Sequence, residues 1–500
     1  MEKLFDLAQF NEYREDNRRE VKKAKNGLPN SLWETYSSFA NTNGGVILLG
    51  IDEDSSGVWH PTGLKATDER KLRKDFWDTI NNRNKVSVNL LSDSNFESFI
   101  IENNVVIAIL VPAADRSKKP VYINNDMFSG SFRRDYEGDY KCSEEEVKAM
   151  LRDQPENTSD MKVLDTIPLS DLNFDTIHSY RNRHMSLKPG HSFERLDDAE
   201  YLRCIGAAAR GIDGTLHPTA AGLLMFGNEY DIVREYPEYF LDYREELDPT
   251  IRWTDRVQSS SGDWTGNLFD FYFVVYKKLA KDIKVPFKII DGTRIDDTPV
   301  HEAIREALAN CLINADYFAG LGVVIRKTPE SLTFENPGYI RVGKKQMRLG
   351  GNSDPRNKAL MKIFNLISIG ERAGSGVPNI FNVWNDTGWE EPVIEEQFNP
   401  DRTVLRLSLN KRQMQKVTIK SDDKKSNDKK VTVKTQKHYE NIRIYLSDGK
   451  KASTQEIANV IGIGIPGTKK VLKSMPDIIA EGGNKNRRYS LNKSPKLSKE

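Results

Sequence analysis

The spacing of apolar positions changes period several times along the chain, and each change marks an element boundary. Over residues 31–52, SLWETYSSFANTNGGVILLGID, it predicts an amphipathic helix, a Gly-Gly turn after Asn43 and a short buried strand, VILLGI. The run VVIAILVP at 105–112 predicts a second buried strand of the same α/β unit, and the charged helix EEEVKAMLR at 144–152 closes a first domain over 1–153. Residues 155–165 are polar and are expected to be a linker. Helical patterns ending in AAGLLMFG follow, and the aromatics of FDFYFVVYKKLAKDI are assigned to the core, so that 166–295 forms a connecting α/β region. A helix at 300–315, strands VVIRK and SLTFEN, and a glycine-rich helix start near 374 define a further unit over 296–410. The stretch KRQMQKVTIKSDDKKSNDKKVTVKTQK has almost no large apolar residues and cannot bury enough surface to fold alone, so 411–437 reads as a basic linker. Globular patterning returns over 438–493, with two helices and a hairpin.

Composition sharpens this in four places. At 500 residues the chain is too long for one core, and at roughly 100 to 200 residues per domain it should be modular. Lys plus Arg number 74 against 73 Asp plus Glu, so the net charge of +1 names no partner and only local clusters can. Cys142, Cys204 and Cys311 are far apart with no CxxC or Cys/His spacing, which argues against a zinc knuckle or a disulfide framework and fits a reducing cytoplasm. The acidic, polar start MEKLFDLAQFNEYRED is unlike a signal peptide, and no run of about 18 apolar residues occurs, so no membrane association is expected.

The stretch EDNRREVK, from Glu15 to Lys22, followed by SSFANTNGGVILLGID, is the most specific signal. It resembles the Schlafen AlbA_2 domain over roughly residues 10–150, extending to KKPVYI and Arg133-Arg134. That resemblance implies an α+β nucleic-acid-binding domain. The Gly44-Gly45 turn lets backbones approach closely, and Asn41 and Asn43 are suited to satisfying turn amides. In some Schlafen proteins the positions matched by Glu15, Glu20 and Asp52 form an acidic site that binds Mg²⁺ or Mn²⁺ and cleaves structured RNA such as tRNA. The resemblance therefore implies catalytic and metal-binding roles for those three, with Lys22 orienting a nucleophile or touching a phosphate. On a binding-only domain the same carboxylates are ordinary solvated groups. Arg18, Arg19, Lys23, Lys25, Lys118, Lys119, Arg133 and Arg134 are the expected phosphate contacts, which give affinity without sequence information.

In HEAIREALANCLINADY, residues 301–317, Glu306 and Asn310 lie one helical turn apart on one face. Phe334-Glu335-Asn336-Pro337-Gly338 follows a strand, and SDPRN (353–357) and GERAGSGVPNI (370–380) come later. In that order these segments resemble the N-box, adenine box and lid of GHKL (Bergerat-fold) ATPases, in the divergent form found downstream of AlbA_2 domains. The resemblance implies an α/β sandwich that binds ATP with Mg²⁺. Asn310 would hold the metal and Glu306 would polarise water, while Asn336 and Gly338 meet adenine and Arg356, Gly374, Ser375 and Gly376 receive phosphates. Asn336 stands where a typical member has an aspartate, which weakens adenine selection. Taken alone, Gly-x-Gly is a helix-entry turn. No Gly-x-x-x-x-Gly-Lys-Ser/Thr occurs, so the residues a P-loop motor needs are missing. GHKL modules often dimerise in their ATP state, so a homo-oligomer is expected.

Residues 438–492 read as helix HYENIRIYLSD, then STQEIANVIG with Ser453 or Thr454 as cap, helix TKKVLKSM, and a hairpin with GGNKNRRYSL. This resembles a winged helix-turn-helix. It implies nucleic-acid contacts from Lys469, Lys470 and Lys473 on the third helix and from Lys485, Arg487 and Arg488 in the wing. The expected protein is thus an α/β multidomain chain that binds ATP and DNA or RNA, as a regulator or anti-phage defence factor. The alternative is a metal-dependent Schlafen-type ribonuclease switched by its ATP module.

Overall fold

The helix expected before the Gly-Gly turn forms over Ser31–Asn41 (α1) in a computed structural model. The model describes residues 15–281, 283, 288–290, 293–295, 298–370, 374–398 and 400–412; in the C-terminal part it describes 439, 442–443, 445–446, 451–461, 465–473, 475, 478–481 and 487–491. The chain divides into two units, residues 1–414 and 415–500.

In the N-terminal part of the first unit, β1 (Arg19–Lys22) runs parallel to β2 (Gly45–Leu49), and two antiparallel strands complete a four-stranded sheet. After β2 the chain forms β3 (Ile51–Glu53), β4 (Trp59–Pro61) and α2 (Ala66–Ile80), then β5 (Phe96–Ile101) and β6 (Asn104–Val111), in the sheet order β1-β2-β6-β5. All five residues of β2 are buried because α1 and α2 cover one face of the sheet, while Val21, Ile51 and Trp59 pack on the other. Gly44 makes the sharp turn at φ +69°, where a Cβ would fall 2.7 Å from the carbonyl oxygen of Val111. Asn41 does not serve the amides of that turn, which Thr42 and Gly44 donate to the Ser38 and Phe39 carbonyls. Its side chain donates to the carbonyls of Val121 and Phe132 and accepts from Val121 N–H, stitching α1 to the downstream chain. A hairpin, β7 (Phe132–Asp135) and β8 (Gly138–Lys141), follows, and then α3 (Glu144–Asp153), which Ser143 and Glu146 cap reciprocally.

The stretch expected to be a linker, 155–165, is packed into the first unit. Asp160 is fully buried and accepts from Leu360 N–H at 2.9 Å, and Thr158 accepts from Lys358 N–H. These two polar residues are partners for a helix start two hundred positions away, while Glu156, Asn157, Lys162 and Asp165 stay exposed.

From Leu164 to Leu407 one continuous hydrophobic core runs through the chain. The helices α4 (Phe174–Leu187) and α5 (Asp198–Ile205) lead to a short hairpin, β9 (Ala208–Arg210) and β10 (Leu216–Pro218), and then to α6 (Ala220–Phe226) and α7 (Glu229–Glu235). Next come β11 (Leu241–Glu245), β12 (Asp255–Gln258), α8 (Leu268–Ala280) and the small hairpin β13 (Lys288–Ile290) and β14 (Thr293–Ile295). The remaining elements are α9 (Pro299–Asn314), β15 (Val323–Lys327), β16 (Ser331–Pro337), α10 (Lys344–Leu349), α11 (Lys358–Leu366), α12 (Gly376–Thr387), β17 (Val393–Gln397) and β18 (Arg402–Ser408). Six of these strands form one sheet in the order β12-β11-β15-β16-β18-β17. Two of them come from the segment expected only to connect. The aromatics Phe271 and Tyr272 of α8 are buried in the core, as read from their spacing.

In the second unit, helices Thr454–Ile461 and Ile465–Lys473 accompany a three-stranded sheet of Ala452–Ser453, Arg488–Leu491 and Ile478–Glu481. Its small core includes Ile442, Leu446, Ile457, Leu472 and Tyr489. Ser453 and Glu456 exchange hydrogen bonds at the helix start, as the capping pattern predicted. The basic linker lies, from residue 413, outside the described residues. Among the described residues no helix is long and apolar enough to cross a membrane.

Candidate nucleotide cleft and the N-terminal charged cluster

The α9 helix starts at a Thr298/His301 capping box with Pro299 in its first turn, and its inner face packs into the core. That fixes Glu306 and Asn310 one above the other, with Asn310 Nδ2 donating to Glu306 Oε1 at 3.0 Å. In β16 the inward-facing residues are Leu332, Phe334 and Asn336, so Asn336 points to the same side as α9. The chain from Tyr339 to Arg356 arches over this side, and α12 begins against α9. A Cβ at position 376 would fall 1.8 Å from Glu306 Oε1, and one at 374 would fall 2.7 Å from the carbonyl oxygen of Asn352. Gly374, at φ +69° and against the Asn352 backbone, is therefore required by close approach, and at Gly376 the α12 N-terminus is seated at the Glu306 carboxylate.

Together these elements line an open cleft. Of the residues expected to hold nucleotide, Glu306, Asn310, Asn336, Arg356, Gly374 and Gly376 all line it. Gly338 and Ser375 are adjacent in sequence but not in its wall; Gly338, at φ +97°, is kept free of a side chain by the Arg356 guanidinium, 2.5 Å from where a Cβ would sit. The floor is apolar, with Phe334, Met361 and Leu405. An apolar floor with a few amides and one carboxylate at the end near a helix N-terminus suits a flat heterocycle followed by phosphates.

Sequence reading missed what holds the arch. Arg356 is buried, and its guanidinium lies 3.1 Å from the Asp153 carboxylate at the end of α3. Burial alone would lower its pKa, but Asp153 and the other neighbouring acids outweigh that and leave it raised. Asp354 bridges Arg116 at 2.9 Å and Arg341 at 3.3 Å, and Arg116 also donates to the carbonyls of Asp153, Gln154 and Pro155. Arg152 pairs with Asp316. Lys119 is buried, donates to the Asn41 carbonyl and sits 5.5 Å from the Tyr339 ring centroid; burial brings its pKa down to about 8. The walls of the cleft are thus ion-paired directly to the N-terminal part of the chain.

The expected metal site at Glu15, Glu20 and Asp52 does not form, and among the described residues no group of three acidic, histidine or cysteine side chains could hold a metal. Strand alternation is the reason. Ile51 and Glu53 of β3 share one side and Asp52 takes the other, where it pairs with Lys23 at 2.9 Å in an exposed position. Glu53 is the carboxylate that approaches Glu15, accepting from Glu15 N–H and from Trp59 Nε1. The Glu15 pKa is raised by burial and further by Glu20 and Glu53. Both oxygens of Glu20 are occupied, by Lys22 at 2.6 Å and Arg134 at 2.8 Å, so Lys22 is a partner of Glu20 rather than a free catalytic group.

Arg133 and Arg134 are likewise not available to phosphates. Arg134 is almost wholly buried between Glu20 and Asp139, and Arg133 pairs with Glu146 at 3.0 Å and lies over the Phe398 ring. Arg19 is paired with Asp16 and half-buried, as is Arg18. Lys23, Lys25 and Lys118 are exposed, whereas Lys119 is corrected to a buried structural lysine. In the second unit Lys469, Arg487 and Arg488 are exposed; Lys470 and Lys473 lie on the same helix as Lys469, and Lys485 is outside the described residues.

Residues 9–143 match the family model described as "Schlafen, AlbA_2", and residues 320–405 match "Putative ATP-dependent DNA helicase recG C-terminal". The second match begins downstream of the helix that carries Glu306 and Asn310. Residues 148–242 match a domain of unknown function (DUF8451). No curated protein matches the chain. Among solved structures, the DIP2311 protein from Corynebacterium diphtheriae is 18% identical, over 95% of this chain and 92% of that one, with a TM-score of 0.40. The N-terminal domain of a RecG-related protein from Nitrosomonas europaea, titled as a putative ATP-dependent DNA helicase, is 28% identical over 27% of this chain and 90% of that one, with a TM-score of 0.21. The chain therefore joins a Schlafen AlbA_2 domain, at 9–143, to a domain of the recG C-terminal family, at 320–405.

Proposed function

We propose that the chain binds ATP with Mg²⁺ in the cleft between α9, β16 and α12, and that nucleotide occupancy controls how it engages DNA or RNA as a regulator or defence factor. The observation that carries this reading is the convergence of Glu306, Asn310, Asn336, Gly374 and Gly376 on one cleft whose remaining wall, Asp354 and Arg356, is ion-paired to Arg116 and Asp153. Asn310 and the nucleotide phosphates would hold Mg²⁺, which supplies charge neutralisation at the phosphates. Asn336 would accept from the adenine amino group, the start of α12 would offer amides to phosphate, and Glu306 would take a proton from water. A phosphate near Arg356 would compete with Asp153 for its guanidinium, and this competition is the route by which the cleft reaches the N-terminal domain.

The recG family name refers to an ATP-dependent DNA helicase, but this chain lacks the P-loop residues of such a motor, so only the nucleotide and nucleic-acid themes are carried over. The ribonuclease alternative loses its metal site to the Asp52 placement described above. The exposed Lys469, Arg487 and Arg488 support a nucleic-acid role for a winged-helix-like second unit.

Calorimetry of ATP with Mg²⁺ decides the first half of the proposal, and the affinity for duplex DNA and tRNA with and without ATP decides the second. Absence of ATP binding overturns the nucleotide reading. Identical nucleic-acid affinities in both states overturn the coupling.

A further inference from the structure

The six-stranded sheet has two faces, and only the inner one belongs to the cleft and the core. Register fixes what stands on the other. Arg256 pairs with Arg244 across β12 and β11, Arg244 with Arg326 across β11 and β15, Arg326 with Thr333 across β15 and β16, and Thr333 with Arg406 across β16 and β18. Four arginines thus stand in one row over five strands. At about 4.8 Å per strand the row spans roughly 19 Å.

Like charges placed directly opposite on neighbouring strands repel and destabilise a sheet. Here two carboxylates sit beneath them. Asp242, fully buried, accepts from Arg244 Nε and from Arg256 Nε and Nη2, at 2.6 to 2.9 Å. Glu335 is 3.4 Å from Arg326 and 3.0 Å from Arg402. The acids are more buried than the arginines they pair with, and Arg326 is 42% exposed and Arg406 exposed. Asp242 holds Arg244 and Arg256 and Glu335 lies beside Arg326, whereas the exposed Arg406 is paired with neither acid; each guanidinium has five N–H donors, more than these contacts use. Beside the row, Trp253 is half-buried and flanked by Arg252 and Arg256, whose guanidinium carbons lie 4.3 Å and 4.2 Å from its ring centroid.

We infer that this outer sheet face is a binding surface for single-stranded nucleic acid, with the arginine row tracking the sugar-phosphate backbone and a base displacing the exposed Arg252 guanidinium to stack on Trp253, whose other arginine, Arg256, stays tied to Asp242. Neither family match assigns such a role to this face. An ordered cationic row beside an aromatic side chain is what a flexible strand with exposed bases needs. The inference is independent of the nucleotide cleft, which lies on the opposite face.

The test uses the full chain and a fluorescein-labelled oligo(dT), with anisotropy measured from 50 to 200 mM salt. Single-strand contacts contribute about 0.7 each to the slope of log affinity against log salt. Arg326→Gln with Arg406→Gln should therefore flatten the slope by about 1.4, while Lys at both positions should keep it. Trp253→Ala should weaken binding at least about fivefold without changing the slope. Thermal unfolding and ATP calorimetry on the same variants show that the fold and the cleft are intact, which separates a failure here from a failure of the nucleotide reading. An unchanged slope in the Gln variant, or a loss seen only with duplex DNA, overturns the inference.

Discussion

Arg356 and Asp153 are held 3.1 Å apart, both buried, the first in the arch over the cleft and the second at the end of the helix that closes the N-terminal domain. Removing one partner of such a pair strands a buried charge, at a cost of about 3 to 5 kcal/mol. We expect Asp153→Ala and Arg356→Ala each to lower unfolding free energy by about that much. The double variant should lose less than the sum. Urea unfolding of the four proteins measures the coupling, and strict additivity would refute a direct interaction.

Glu306 and Asn310 touch each other but are assigned different work. Asn310→Ala should abolish ATP binding, because the metal anchor is lost, whereas Glu306→Ala should bind ATP and fail to hydrolyse it. Calorimetry and phosphate release distinguish them. Equal nucleotide affinity in the wild type and Asn310→Ala would sink the assignment.

The buried charges near the arch make opposite contributions to pH dependence. Burial lowers the Lys119 pKa to about 8, so the folded state prefers the neutral amine. Its contribution is present above the ordinary lysine value of about 10.4 and is lost as pH falls through 8. Asp401 is raised to about 6 by burial and by Glu146, so its contribution is present below the ordinary aspartate range and is lost as pH rises through 6. Relative to wild type, Lys119→Met should show a shallower rise in stability from pH 8 to 10. Asp401→Asn should show a shallower fall from pH 4 to 6. Denaturant midpoints across those windows provide the measurement, and parallel curves would contradict both assignments.

The parts of this architecture legible in the sequence are those set by local spacing. The α9 pair follows from a one-turn interval, and Asn336 follows from a strand ending in Asn-Pro-Gly. The partners of Arg356 and Asp354 were not legible, because Asp153 and Arg116 are brought there only by tertiary folding. In the sequence Arg133 and Arg134 are two cations, and charge alone does not reveal that Glu146, Glu20 and Asp139 enclose them. Asp52 stands out in the sequence by its place in a motif. The two-residue alternation from the apolar Ile51 was the available signal that Glu53, not Asp52, faces Glu15.

The second unit carries exposed cations at Lys469, Arg487 and Arg488. Deleting residues 415–500 should reduce duplex DNA affinity and flatten its salt dependence, since fewer counterions are released. The cut leaves Arg412, which donates to the Gly388 carbonyl, in place. An unchanged slope of log affinity against log salt would show that this unit is not a nucleic-acid arm.

Glu20 and Asp52 belong to one sequence motif, yet their surroundings predict opposite results on substitution. Glu20 is buried and binds both Lys22 and Arg134, and Arg134 has almost no exposure to water that could replace the lost carboxylate. Glu20→Ala should therefore cost about 3 to 5 kcal/mol, less whatever Asp139 recovers as the remaining partner of Arg134. Asp52 pairs with Lys23 where both are well exposed, and such a pair contributes about 0 to 1 kcal/mol, so Asp52→Ala should unfold almost as the wild type does. A shared metal site predicts something else: both substitutions would remove a Mn²⁺-dependent rise in melting temperature, because ligand binding to the folded state raises stability by mass action. Melting of the wild type, Glu20→Ala and Asp52→Ala with and without Mn²⁺ separates the two accounts. A Mn²⁺ shift in the wild type that both variants lose would restore the metal site. A large loss for Glu20→Ala alone, with no Mn²⁺ effect in any of the three, identifies Glu20 as the counter-ion of Arg134.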